Sequence, residues 1–195
     1  MTKRRDGAEM SARGVDSNQE MADTCRDHGL QVPTGDALQY LSAQADESLG
    51  GLFAAQVVEH LPPDHLLQFL ELGYRKLRPG SRIILETINP ACWHAFFSSY
   101  LRNVTHAQPL PPETLQHFMT ASGFQAVGIR YSTPVPESLK LQPIRWATSE
   151  VDSGQAPAEA ADPLREAGAM INDNMAKSNG FLFSYMDYAT IGERR

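Results

Sequence analysis

A few short stretches of this 195-residue chain hold side chains that could do chemistry. Gln56-Val57-Val58-Glu59-His60 closes an almost unbroken apolar run over residues 51–58 and sets a carboxyl and an imidazole side by side at its exit. Imidazole titrates near neutral pH, so His60 can act as a general base, while Glu59 can contact a polar substrate. The plainer alternative is a solvated loop charge at Glu59 and a histidine packed beneath the Pro62 turn. Thr105-His106 follows a segment containing Trp93, Phe96 and Phe97, aromatics that either cover a substrate or pack in a core. Asp16 and Asp36 each stand where a short extended piece gives way to a helical pattern, so each carboxylate either meets a ligand or caps a helix. Of the six histidines none forms an i,i+4 pair, and the two cysteines, Cys25 and Cys92, lie far apart, so no metal site is expected.

The elements that must carry these residues follow from periodicity. Residues 12–16 read as a short strand ending in an acid. Ser17 and Glu20 have capping-box spacing ahead of a helix whose apolar face holds Met21 and Cys25 and whose end is Gly29. Residues 30–32 form another strand candidate, and Asp36 opens a helix with Leu38 and Leu41 inward. The run at 51–58 is the pattern of a parallel strand covered on both faces. Asp64 follows Pro62-Pro63 at a helix start, Leu66, Leu70, Tyr74 and Leu77 trace its buried stripe, and Arg78-Pro79-Gly80 stops it. Strands are expected at 82–87, 125–132 and 187–191, with helices from Pro112 to a cap at Gly123 and over 164–176. Residues 148–163 are too poor in apolar side chains to hold a core position and read as a mobile surface loop. The strand–helix–strand succession predicts an α/β fold, a Rossmann-like three-layer sandwich with a mostly parallel sheet.

Composition narrows the partners. A net charge of −6 gives no electrostatic reason to bind nucleic acid. No apolar run approaches membrane-spanning length, and isolated thiols fit a reduced, cytoplasmic protein.

Taken in order, Gly14-Val15-Asp16-Ser17-Asn18, Gly35-Asp36-Ala37, Gln56-Val57-Val58-Glu59-His60-Leu61, Leu77-Arg78-Pro79-Gly80, Glu86-Thr87-Ile88-Asn89-Pro90, Thr105-His106 and Pro112-Glu113-Thr114-Leu115 resemble a class I S-adenosyl-L-methionine (SAM) dependent methyltransferase. The resemblance is to bacterial methyltransferase-domain proteins found with polysaccharide glycosyltransferases. It covers residues 12–136 and 181–192 of a single domain. It implies SAM as cofactor, with Asp16 on the ribose hydroxyls, Asp36 and the Ala37 amide on adenine, and Gln56 beneath the methionine part. It also implies that Glu59, His60 and His106 face a small-molecule or sugar hydroxyl acceptor, with residues 89–112 as an insertion on the acceptor side. Related sequences carry an acid just before the Thr-His pair, where this chain has Asn103-Val104.

The strand and Gly-x-Gly turn that open such a domain have no counterpart in residues 1–10, which leads to the expectation of an N-terminally truncated domain, through a mis-set gene start or a frameshift. A partner chain or a second copy could fill the missing strand, or its two neighbours could pair directly. The competing reading is a non-catalytic methyltransferase-like module for binding or assembly. A nicotinamide-dependent dehydrogenase would use the same acid after the strand but needs the same glycine turn.

Overall fold

Ile83, Leu85 and Thr87 are buried while the residues between them are only half-buried, the period-2 signature of a strand with one well-covered face. A computed structural model describes residues 2–3, 9–10, 12–145 and 163–195. Two short strands, β1 (Thr2–Lys3) and β2 (Glu9–Met10), pair antiparallel, and helices α1 (Gln19–Asp27) and α2 (Ala37–Ser42) follow. Then come β3 (Leu52–Ala55), α3 (Pro63–Lys76), β4 (Arg82–Ile88), α4 (Trp93–Ser98) and α5 (Pro112–Ala121). The chain ends with β5 (Gln125–Pro134), α6 (Pro163–Leu182) and β6 (Tyr185–Glu193). The sheet order is β3-β4-β6-β5; β3 runs parallel to β4, and β6 lies antiparallel between β4 and β5.

The α/β class is as expected, with strand directions more mixed than expected. The expected parallel pieces at 12–16 and 30–32 pair with each other, through Gly14 N–H to the Gln31 carbonyl (3.0 Å) and a parallel bridge between Asp16 and Thr34. Among the described residues neither pairs with β3, so that direct pairing is not observed.

One face of the sheet makes the core. Leu66, Phe69 and Leu70 of α3 and Leu115 and Met119 of α5 pack with Ala54, Ile83, Leu85 and Tyr188. α3 begins on Pro63 with Asp64 in its first turn and ends with Arg75 and Lys76 in its last, matching its dipole. Gly73 lets this helix lie close: a Cβ there would meet Leu52 Cδ2 at 3.2 Å and Ile83 Cδ1 at 3.4 Å. Gly123 adopts φ +100° against the Tyr74 ring, closing α5 as its sequence position required.

Several expectations change. The cap of α1 is Asn18 rather than Ser17: Asn18 Oδ1 accepts from the Glu20 and Met21 amides, because Asp16 Oδ1 already holds the Asn18 amide and delays the helix by one residue. Met21 is 53% exposed, so it packs on no inward face. The apolar run 51–58 gives only a four-residue strand, because Gln56 turns out of it at φ +53°. Its expected two-sided cover is also absent among the described residues: Ala54 is buried, yet Phe53 on the opposite face is 62% exposed. Residues 148–162 lie outside the described residues, while Pro163 opens a helix that runs on to Leu182.

Candidate functional site

Asp16 and Asp36 come together at the carboxyl ends of the paired pieces. Gly35 N–H donates to the Asp16 carbonyl at 2.9 Å, which sets the two loops side by side. Asp16 Oδ1 accepts from the Asn18 amide at 2.8 Å, and Asp36 Oδ1 caps α2 by accepting from the Gln39 amide at 2.9 Å. Asp36 thus has the helix-capping role that was open in the sequence, whereas Asp16 braces the turn before α1, whose cap is Asn18. In each case, hydrogen bonding among the described residues leaves Oδ2 unused. Ala37, the first residue of α2, offers one of the amides that a helix start leaves unpaired. Gln56 stands apart from these two. It follows β3, donates its amide N–H to the Glu86 carbonyl (2.9 Å), and reaches Asp187 Oδ1 with its side chain at 3.3 Å.

Glu59, His60 and His106 form a second group. Residues 58–60 make a single 3₁₀ turn after β3. The Glu59 carbonyl accepts from the Ala107 amide at 2.8 Å, drawing the end of the insertion onto that turn. Glu59 is 1% exposed, so it is no solvated loop charge, and both carboxyl oxygens lack a hydrogen-bond partner. Burial raises its pKa. The nearby Thr87 hydroxyl and the two imidazoles oppose that shift, although no hydrogen bond of good geometry joins Glu59 to Thr87.

Both imidazoles are oriented through Nδ1. His60 Nδ1 lies 3.2 Å from the Thr105 carbonyl and 3.0 Å from Thr105 Oγ1, and His106 Nδ1 lies 2.8 Å from the Tyr100 carbonyl. A carbonyl only accepts, so each Nδ1 carries a proton, and in the neutral ring the lone pair then lies on Nε2. Thr105 is set in turn by Asn103, whose Oδ1 accepts from the Thr105 amide (3.1 Å) and hydroxyl (2.7 Å). Asn103 therefore organises this loop. His60 and His106 have ring centroids 4.6 Å apart, and Tyr100 stacks on His106 at 4.5 Å. Trp93 and Phe97 are more than half exposed, so these two lie outside the core.

A SAM-dependent methyltransferase from Archaeoglobus fulgidus is 33% identical, with 92% of this chain and 74% of that one covered and a TM-score of 0.73. The chain belongs to the SAM-dependent methyltransferases. Two further solved structures bear on fold alone. One is a SAM-dependent methyltransferase from Thermotoga maritima (15% identity, 94% and 73% covered, TM-score 0.58). The other is Haemonchus contortus phosphoethanolamine N-methyltransferase 2 with SAM (13% identity, 94% and 43% covered, TM-score 0.57). No protein-family model matches the chain, and no curated protein is significantly similar to it.

The methyl donor of this methyltransferase is therefore SAM, and the Asp16–Asp36 pair suits its adenosyl part. Two carboxylates on adjoining loops, each with an oxygen unused among the described residues, offer the kind of acceptor that a ribose diol and an exocyclic amine require. A cleft of about 440 Å³ bordered by Glu137, Lys140, Asn179 and Tyr185 includes no residue of either group. Sequence reading overlooked Tyr100 and Asn103. The available signals were an aromatic six residues before His106 and an Asn-x-Thr turn.

Proposed function

We propose that this methyltransferase transfers the methyl group of SAM to a hydroxyl of a small molecule or sugar held at Glu59, His60 and His106. The supporting observation is two imidazoles held by their Nδ1 atoms, clustered with a buried carboxyl that lacks a hydrogen-bond partner, just after a sheet strand, the rim where α/β sheets bind ligands. Asp16, Asp36 and the Ala37 amide hold the adenosyl part of SAM, and Gln56 borders the remainder. When bound, SAM supplies an electrophilic methyl on a positively charged sulfur, and forming the methyl ether releases the hydroxyl proton. His60 Nε2 accepts that proton while the Thr105 carbonyl and hydroxyl hold its opposite edge. Residues 93–106 close over the acceptor, and the exposed Trp93 and Phe97 give a sugar ring apolar faces to lie against. Methyl transfer otherwise needs mainly alignment of the reacting atoms.

Calorimetry with S-adenosylhomocysteine, followed by methyl transfer to a panel of sugars and small alcohols, tests this proposal. Heat of binding that falls at least several-fold in Asp16→Ala is expected. His60→Ala should lower kcat by a factor of about 10²–10⁴. Binding without methylation of any hydroxyl acceptor would favour the non-catalytic module.

A further inference from the structure

The geometry points to a divalent-cation site formed by Glu59, His60 and His106, of the class that takes one carboxylate and two imidazoles. One ligand atom from each residue lies within 4.8 Å of the others. Ligands at zinc distances of about 2.0–2.2 Å stand roughly 3–3.5 Å apart, so small side-chain rotations bring all three onto one ion. Three independent features favour this over a chance meeting of polar groups. Glu59 is a buried carboxyl with no hydrogen-bond partner, a costly arrangement that a cation relieves. Both imidazoles donate Nδ1–H to backbone carbonyls, the outer contact that fixes a metal-binding histidine with its Nε2 lone pair outward. Neither Nε2 has a hydrogen-bond partner among the described residues.

Two nitrogens and one carboxylate oxygen suit a borderline cation such as zinc, and three protein ligands leave coordination positions open. This inference rests on the methyltransferase reading only for what fills those positions, namely the acceptor hydroxyl. A metal-bound hydroxyl is far more acidic than a free one, so its proton leaves to solvent at neutral pH. In that state His60 is a ligand; without the cation it remains the proton acceptor.

The test uses the full chain, stripped with chelator and titrated with Co²⁺ while the visible d–d absorption is followed. One Co²⁺ per chain is expected, displaced by Zn²⁺, with affinity falling about 10–100-fold or more in His106→Ala and in the isosteric Glu59→Gln. Substitution of the remote, exposed His117 by Ala should leave the titration unchanged. Circular dichroism melts identify any variant that has not folded, and Glu59→Gln, which keeps the side chain's size and shape, keeps the comparison meaningful if His106→Ala unfolds. No absorption change at millimolar Co²⁺, or equal affinity in wild type and both variants, would overturn the site. S-adenosylhomocysteine calorimetry on the same samples reports separately: its failure counts against the methyltransferase reading and leaves the cation result standing.

Discussion

Buried charge costs free energy unless paired, and two residues show opposite solutions. Glu59 has no hydrogen-bond partner, and burial raises its pKa in favour of the neutral carboxyl. Lys76, 6% exposed, is neutralised by Asp46, whose Oδ1 lies 2.7 Å from its Nζ and 3.5 Å from Arg75 Nε. The hydrogen bond from Lys76 and the neighbouring positive charges hold the Asp46 carboxyl below its usual pKa. The sign follows. A depressed folded pKa stabilises the native state above the ordinary carboxyl range, and that contribution is lost as pH falls through the folded value. Asp46→Asn should therefore lower the melting temperature by a few degrees at neutral pH, because it strands the Lys76 ammonium. The gap to wild type should close as pH drops below about 3.9. Melts across that range measure it, and an equal gap at all pH values would mean that Asp46 acts through something other than its charge.

The insertion between β4 and α5 is built from short helices and turns, so its placement depends on ties to other elements. One is the zipper between residues 58–61 and 105–108, which includes the Ala107–Glu59 backbone bond. Another is Tyr188 of β6, fully buried, whose hydroxyl donates to the Leu110 carbonyl at 2.8 Å. Burial in turn pushes the phenol pKa up. Tyr188→Phe leaves that carbonyl unsatisfied and should cost about 1–3 kcal/mol in denaturant titration. The same change should loosen residues 100–110, read as faster amide exchange there than elsewhere. Element placement was partly legible in sequence. The α3 stripe and the stops at Gly29, Gly80 and Gly123 were readable because they follow from local spacing and local backbone demands; all three glycines have positive φ. The shift of the α1 cap to Asn18 was not readable, because it depends on a bond from the Asn18 amide to Asp16 that competes with the Ser17 pattern.

At the scale of the molecule the sheet has unequal faces. Leu85 is fully buried under the helices, whereas Phe53 on the other face of the adjacent strand is 62% exposed. Leu85→Ala should cost about 2–5 kcal/mol as a cavity in the core. Phe53→Ser should stay within about 0.5 kcal/mol of wild type, as exposed substitutions do. Equal losses in urea titrations would mean that the second face is covered. No helix among the described residues is long and apolar enough to cross a membrane.

The family was legible in the chain itself, because seven short motifs in order survive as local patterns whatever their contacts. By residue type and local spacing it also singled out Asp16, Asp36, Glu59, His60 and His106 as candidates. How they combine depends on contacts between distant segments. Asp16 and Asp36 meet through one backbone bond between their loops, and each serves a helix or turn with one oxygen while keeping the other free. His60 reaches Thr105 across 45 residues of sequence, and Glu59 loses its solvent as the insertion folds back over it. Spacing rules for metal sites read ligands one helical turn apart. A cluster assembled by a returning loop has no such period, so the sequence predicted no metal site where the fold has gathered a carboxylate and two imidazoles.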